Sequence, residues 1–570
     1  MGRIGVFICH CGFSPLKVVD VEKLVAAIRQ HPNIAYAEVH RDMCLKPEPE
    51  LVTNVVKENR LEGVVFTSCA SSLHRDSFNN LALAAGLEPN QFGIVDLREQ
   101  DHETAAPEKI IEAVGNLVDK LALAQPLYQI SLPITKRALV IGGGVAGIQS
   151  ALDIADAGYE VILVERSPSI GGHMLQYSEV FPTLDCPQCI MTPKMVEVGQ
   201  HPNIKLLTYS EVEQVSGQIG DFTVLVRRKA SYVDWDKCTG CGMCQLKCAT
   251  TAPSEFERWL PFGQRKAIYI PFGQAVPNKP VIDRDACRYF TKGKCQLCQL
   301  VCPVKAIDFE QQDTFIEVKV GAIIVATGFE LYARENISEI AEDPDVLDGI
   351  QFERILCPSG PTDGEVVRPS DGKVPKEVAF LSCIGSRDPE HGVPYCSRVC
   401  CMYLAKQAML YKHAVPDGQA YIFYMDVRST GKGYEEFIQR AVEEDGVLYL
   451  RGRVSKVFRD GDKLRVWGAD TLTGKRVELS CDLVVLGMAM VPDPAGKELM
   501  RILGIDTDVY GFIAEAHPKL RPLETSVPGI YVAGTAQGPK DIPDSVAQGS
   551  GAASKVLTLF SQQEPVLEKR

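Results

Sequence analysis

Twenty cysteines are the residues of this 570-residue chain best suited to chemistry. In a cytosolic chain that number points to metal or redox chemistry rather than structural disulfides. They are clustered. Cys9, Cys11, Cys44 and Cys69 come first, Cys186 and Cys189 form a C-x2-C, and eight more fill 238–302. Cys357, Cys383, Cys396, Cys400, Cys401 and Cys481 follow. In the dense stretch, Cys238, Cys241, Cys244 and Cys248 read C-x2-C-x2-C-x3-C, and Cys287, Cys295, Cys298 and Cys302 read C-x7-C-x2-C-x3-C-P. Thiolates crowded in this way suit [4Fe–4S] cubes. A pair of zinc ribbons is the alternative, although zinc sites rarely crowd three thiolates so closely.

The two runs resemble a bacterial-type two-cluster ferredoxin with a loop in the second motif. In that arrangement three closely spaced thiolates wrap one cube and the fourth cysteine of each run ligates the other. The resemblance therefore assigns Cys238, Cys241, Cys244 and Cys302 to one cube, and Cys287, Cys295, Cys298 and Cys248 to the second. Pro303 follows the second run, whereas Ala249 replaces the usual proline after the first.

A nucleotide-binding fold must position these thiols. In KRALVIGGGVAGIQSALDIADAGYEVILVE a strand ends at Ile141, Gly142-x-Gly144-x-x-Gly147 opens a helix through Val145 and Ala146, and a second strand ends at Glu165. The glycines allow a tight turn and a close approach to a pyrophosphate at the helix N-terminus, and the acid suits a ribose hydroxyl. Arg166 and Gly172 (of Gly171-Gly172) continue the site. Further on, KVGAIIVATG, with Ala326, Thr327 and Gly328, resembles the strand-plus-ATG element of two-dinucleotide-domain flavoproteins. TSVPGIYVAG, ending at Gly534, resembles the strand that reaches the FAD ribityl chain. Thr535 stands where that family usually has Asp; its hydroxyl can still hydrogen-bond the ribityl group. Val546 and Ala547 begin a small-residue helix expected to abut the isoalloxazine. The cofactor expected is FAD.

Such flavoproteins normally carry a second domain for NAD(P)H. Here EVAFLSCIGSRD reads as a strand followed by Cys383-Ile384-Gly385-Ser386 where GxGxxG/A would stand. One glycine remains, and no acid follows at ribose distance. YCSRVCCMYLAKQAM then predicts a helix on which Cys396 and Cys400 share a face, with Cys401 adjacent. With Cys383 these make four thiols, enough for a [4Fe–4S] cube in the place of a nucleotide phosphate. Four buried core cysteines are the alternative.

Residues 1–125 alternate strand and helix, with Cys9, Cys44 and Cys69 at predicted strand ends and Cys11 just beyond one. In a parallel sheet such ends share one edge, so these four are candidates for a further [4Fe–4S] cluster; plain core cysteines are the alternative. His10 is a candidate cluster hydrogen-bond donor. Cys186-Pro-Gln-Cys189 admits three readings: a redox disulfide against the flavin, a thiolate supply for a cluster near it, or inert cysteines. A low-pKa thiolate serves either active role. Lys194 on the same segment is a candidate to reach the flavin N5 or O2 edge, or else a surface lysine. Cys357 and Cys481 read as core residues.

The order CHCG, KRALVIGGGVAGIQSALDIADAGYEVILVE, DCPQCIMTPKM, YVDWDKCTGCGMC and CIGSRD…YCSRVCC resembles the heterodisulfide reductase A-subunit (HdrA) family over essentially the whole chain. The resemblance implies a cytoplasmic oxidoreductase component holding FAD and about four [4Fe–4S] clusters. It implies flavin-based electron bifurcation, partner subunits B and C, an electron-input subunit (hydrogenase, formate dehydrogenase or similar), ferredoxin, and a homodimer within a larger complex. Some members carry a further C-terminal ferredoxin domain; this chain stops at Arg570, so either another subunit is expected to supply that wire or the entry point differs. Two other classes stay open. One is a relay hub without bifurcation, or a flavin component of a related complex with another substrate. The other is a self-sufficient NAD(P)H flavoenzyme like the small subunit of glutamate synthase, against which the missing second glycine motif argues.

Composition sets the outer bounds. With 45% hydrophobic and 23% charged residues the chain is of ordinary globular type. A net charge of −13 disfavours nucleic acid as a partner, and no apolar run approaches the ~20 residues of a membrane span. The opening MGRIGVFICHCG predicts neither a signal peptide nor, with Val6 where Ser or Thr belongs, myristoylation. The expected fold is α/β: a thioredoxin-reductase-like two-dinucleotide-domain flavoprotein core with added iron–sulfur domains. The expected boundaries are an N-terminal α/β iron–sulfur domain at 1–130, an FAD domain in three parts (137–230, 310–335 and 490–560), an inserted two-cluster ferredoxin domain at 231–309, and a former NAD(P)H-type domain at 336–489.

Overall fold

The computed structural model describes residues 2–10, 20–43, 47–68, 71–97, 107–123, 134–340 and 342–562. The chain forms two compact units, 1–131 and 132–570.

In the first unit, four parallel strands lie in the order Ile34–Arg41, Ile4–His10, Gly63–Ser68, Phe92–Asp96. Strand side chains alternate between faces. Ile4, Val6 and Ile8 therefore pack with Val114 and Val118 of the helix Pro107–Ala122, whereas Phe7 and Cys9 pack on the other side with Phe66 and Phe78. Asp20 caps the helix Val21–Ile28 by accepting from the Lys23 N–H at 3.2 Å.

The second unit contains two five-stranded parallel sheets. The first has the order Ile530–Val532, Ala322–Val325, Arg137–Ile141, Glu160–Val164, Ile204–Leu207. Its central strands are apolar and buried, as expected where both faces of a parallel sheet are covered. The helix Val145–Asp156 packs against the long helix Ile542–Ser561 through small residues: a Cβ on Gly549 would stand 2.6 Å from the Ala146 carbonyl oxygen.

The second sheet repeats the plan, in the order Val346–Asp348, Leu483–Met488, Glu377–Ile384, Gln419–Tyr424, Leu448–Arg451. In both sheets the strand order reverses beside an inner strand, Arg137–Ile141 in the first and Glu377–Ile384 in the second. Ligands of open α/β sheets bind outside the carboxyl ends of the strands at such points.

The segment with the densest cysteines is short on regular structure. Two small antiparallel pairs (Thr251–Pro253 with Gln264–Lys266, Ile268–Tyr269 with Val281–Ile282) accompany five-residue helices at Met243–Lys247, Arg288–Lys292 and Leu297–Val301. Its core is small (Tyr232, Val233, Ile268, Ile282, Ile307, Phe309), with Cys238, Cys248, Cys287, Cys298 and Cys302 packed against it.

Candidate functional site

At the reversal point of the first sheet lies a cavity of about 940 Å³. Gly142, Gly144, Val145, Ala146, Glu165, Arg166, Gly172, Ala326, Thr327, Gly328, Gly534 and Thr535 all line it. The glycines do distinct work. Gly142 has φ +106°, and a Cβ there would meet the Ala326 carbonyl oxygen at 2.3 Å. A Cβ on Gly147, which packs behind the wall, would meet the Gly142 carbonyl at 1.9 Å, whereas Gly144 faces open space where a pyrophosphate can approach. Glu165 accepts from the Gly143 N–H at 2.7 Å and the Ser167 N–H at 2.8 Å, which fixes its carboxylate at the cavity edge. Arg166 pairs with Asp493 at 2.6 Å.

The helix expected to begin at Val546 and Ala547 starts at Ile542, with Asp541 capping it through the Asp544 N–H. Ile542, Pro543 and Ser545 therefore reach the cavity; Val546 and Ala547 stand outside its lining.

The second sheet's nucleotide-type unit contributes groups that the sequence did not single out. Glu353 and Lys406 both line the cavity, with only 3% and 2% of their side chains exposed, and form a short ion pair. Glu353 also accepts from Gln407 Nε2 at 2.5 Å and from the Ser178 N–H at 3.0 Å. Gln407 Oε1, in the same wall, is buried without a hydrogen-bond partner, an acceptor left for a bound molecule to satisfy. Lys540, another lining residue, is lowered to about 8, first by burial and then by Arg398. A cavity with an open glycine turn, a ribose-type acid and a buried cation has the donor set for FAD.

At the reversal point of the second sheet stand four thiols. Cys383, next to last in its strand, has φ +62°, and Arg387 and Arg398 share the left-handed conformation (φ +56° and +67°). Non-glycine residues held there mark backbone that the surroundings over-determine. The predicted helix over YCSRVCCMYLAKQAM begins only at Cys400 and runs to Ala414, because the left-handed Arg398 prevents an earlier start. Cys396 therefore approaches from the preceding loop, not from a shared helical face.

Cys383, Cys396 and Cys401 all act electrostatically on Cys400, which burial pushes far above its ordinary value. Burial likewise pushes Cys383 up to about 11, against the pull of Arg387, which hydrogen-bonds it. Arg387 is itself held by Asp426 at 2.6 and 3.0 Å. The Arg398 N–H donates to Cys396 Sγ at 3.2 Å.

In the cysteine-dense segment, Cys238, Cys241, Cys244 and Cys302 line one small cavity, bringing the fourth cysteine of the second run to the first three of the first. Cys298 lies within electrostatic reach of Cys287 and Cys248; burial raises it to about 12 and Cys244 to about 11. The Gly240 and Ala306 N–H groups donate to Cys238 and Cys302 sulfurs at 3.4 and 3.2 Å. Cys295, at φ +99°, is exposed. Among the described residues no three His, Cys, Asp or Glu side chains converge on one bare ion. Four cysteines around one small cavity, two of them accepting backbone N–H groups, fit the ligand set of a cubane.

The C-x2-C is placed elsewhere. Cys186 caps the helix Pro187–Gln200, its sulfur accepting from the Cys189 N–H at 3.3 Å. Met191, Met195 and Val198 turn the helix's apolar face into the first sheet's core, leaving Cys186 and Cys189 exposed and Lys194 half-buried. None of these three lines the cavity. Cys357 and Cys481 are buried. In the first unit Cys9 is buried and its N–H donates to Thr67 Oγ1 at 3.2 Å; Cys11, Cys44 and Cys69 lie outside the described residues.

The A-subunit of the H(2):CoB-CoM heterodisulfide,ferredoxin reductase of Methanothermobacter thermautotrophicus is 44% identical over 575 residues, covering 99% of this chain and 86% of that protein. The chain belongs to the HdrA family of heterodisulfide reductases. A CoB–CoM heterodisulfide reductase iron-sulfur A-subunit of Methanopyrus kandleri, the second of two such proteins, is 45% identical, covering 99% of this chain and 87% of that one. A protein of Archaeoglobus profundus described as like the heterodisulfide reductase A-subunit is 42% identical with the same coverage. The profile described as pyridine nucleotide-disulphide oxidoreductase matches residues 22–179, which include the Gly142–Gly147 turn. Thioredoxin reductases of T. acidophilum and Lactococcus lactis are both 15% identical, each covering 75% of this chain and 99% of that one, with TM-scores of 0.41 and 0.42. Members of the HdrA family are oxidoreductases, and this chain carries an α/β core with two nucleotide-type sheets. Among the described residues no helix is long and apolar enough to cross a membrane.

Proposed function

We propose that this chain is the FAD- and [4Fe–4S]-bearing electron-transfer component of a cytoplasmic heterodisulfide reductase-like complex, dividing an electron pair between two sets of clusters and serving partner subunits of the B and C type. One helical turn carries the reading. Val399 and Tyr403 form part of the cavity wall, and Cys400 and Cys401 between them belong to the four-thiol group. When bound, FAD supplies exchange of electrons in pairs or singly, and the clusters exchange them singly.

The chain's own residues do the rest. Gly142, Gly144 and the helix N-terminus at Val145 offer the pyrophosphate site, and Glu165 the ribose contact. Lys406, oriented by Glu353, holds a positive charge in the cavity, where it favours negative charge on a bound ligand. The left-handed turns at Cys383 and Arg398 aim sulfurs where a second nucleotide's phosphates would otherwise sit, which supports partner proteins over NAD(P)H as electron donors. The relatives' names couple their reactions to H2, formate or ferredoxin. An electron-input subunit such as a hydrogenase or formate dehydrogenase, together with ferredoxin and a homodimer within the larger assembly, fits that chemistry.

Anaerobic purification from the native source, with identification of the co-purifying chains, tests the assignment. Recovery of B- and C-type iron–sulfur subunits is expected. Recovery of the chain alone, with its FAD bleached within seconds by NADH, contradicts it. The ferredoxin-like pairing has its own test. Cys302→Ala is expected to alter the same cluster signal as Cys244→Ala, and a loss shared instead with Cys298→Ala contradicts the exchange of fourth ligands.

A further inference from the structure

Residues 254–259 belong to the cysteine-dense segment, yet Ser254, Glu255, Phe256, Arg258 and Trp259 form part of the large cavity's wall. The backbone there is unusual. Arg258 and Trp259 are consecutive and both left-handed, at φ +53° and +57°. Bulky residues adopt that region only where their surroundings impose it, and such positions gather at ligand clamps. The imposing contacts come from the turn Gly172–Gln176 and the helix Gly349–Leu356. The Phe256 carbonyl accepts from Gln176 Nε2 at 2.9 Å, and the Arg258 carbonyl from Gln351 Nε2 at 3.1 Å. Glu257 pairs with the buried Arg354 at 2.7 Å, and the Trp259 N–H donates to the Ser254 carbonyl at 3.0 Å. Leu260, the next residue, is buried in the core of the second sheet.

The Trp259 side chain stands apart from these anchors. Its neighbours on both sides are tied down, but it is itself 57% exposed where it borders the cavity. The Arg258 guanidinium lies 5.4 Å from the centre of its ring and pairs with Glu330 at 3.5 Å, so the ring is braced from its own segment. An indole held on a fixed backbone loses little freedom when a flat partner settles on it, and stacked aromatic pairs are favourable beyond the area they bury. FAD offers two such partners, its adenine and its isoalloxazine. We propose that Trp259 is a binding residue for the cavity's cofactor, stacking on a planar ring of the bound FAD. The segment that carries eight cysteines between 238 and 302 then also closes the flavin site, through a strained turn pinned to both nucleotide-type units.

The inference rests on the proposed reading that the cavity holds FAD, and the test separates the two. The full chain, purified anaerobically, is freed of FAD and titrated with FAD and, separately, with ADP. Wild type is compared with Trp259→Ala, Trp259→Phe and Trp467→Ala. Trp467 is the control: it is 43% exposed on the strand Lys463–Asp470, packs edge-on against Phe458 and lies outside the cavity lining. Trp259→Ala is expected to weaken FAD about tenfold, the scale of one lost stacking contact. Trp259→Phe, which keeps a ring, should recover most of that loss, and Trp467→Ala should bind as wild type does. A matching loss for ADP identifies the adenine as the stacked ring; a loss for FAD alone identifies the isoalloxazine. FAD affinity within twofold of wild type in Trp259→Ala, an equal loss in Trp467→Ala, or no recovery in Trp259→Phe overturns the proposal. Failure of the cofactor reading would instead appear as a wild-type chain that takes up no FAD.

Discussion

Lys406→Met should be among the most damaging single changes in the chain. The ammonium is the cation for Glu353, and both side chains are almost wholly buried. Removing one partner of a buried pair leaves an uncompensated charge and costs about 3–5 kcal/mol. Gln407 and the Ser178 N–H still donate to Glu353, so the lower end of that range is expected. The same change removes a positive charge from the cavity wall. A flavin bound there would then be harder to reduce, by roughly 30 mV for each 1.4 kcal/mol of lost preference for the two-electron-reduced form. Denaturant midpoints and flavin potentials, both measured anaerobically, check the two effects. The double variant Lys406→Met/Glu353→Gln should recover most of the stability, because the stranded charge is gone, and much of the potential, because the wall is again neutral at this pair. Recovery of the stability without the potential would assign the potential shift to something other than the net charge of the pair.

The sequence made the local features readable and hid those that depend on distant segments. The Gly142–Gly147 turn, Glu165 and the ATG element are legible because each function rests on a few consecutive residues, and all of them border the cavity or pack directly behind it. The cysteine runs are legible for the same reason, since a cube needs crowded thiolates whatever surrounds them. Lys406 and Glu353 stand 53 residues apart on two helices and carry no motif; only the packing of Gly349–Leu356 against Cys400–Ala414 makes them a pair. Helix starts depart from the residue pattern where capping and backbone conformation outweigh it. Asp541 starts the last helix before Val546, and left-handed Arg398 delays the other until Cys400. The C-x2-C shows a further limit. Spacing marks a candidate pair but not the direction its helix faces, and here Met191 and Met195 take the inward side.

The second nucleotide-type sheet gives the molecule its particular chemistry. Its strands, its crossover helix and its reversal point match those of the first, yet the turn that would hold phosphates carries Cys383 and leads to Cys396, Cys400 and Cys401. A nucleotide site offers N–H donors to an anion, whereas under the proposed function the sulfurs here would serve a metal centre.

Cys396→Ala tests that conversion most directly. Cys396 lies in a loop, half-buried, and its sulfur has one backbone donor, so the substitution leaves the sheet and the FAD cavity intact. Iron and FAD are to be counted per chain after anaerobic purification of wild type and variant side by side. The account predicts a loss of about four irons, the content of one cube, with FAD unchanged. Iron content equal to wild type would contradict it.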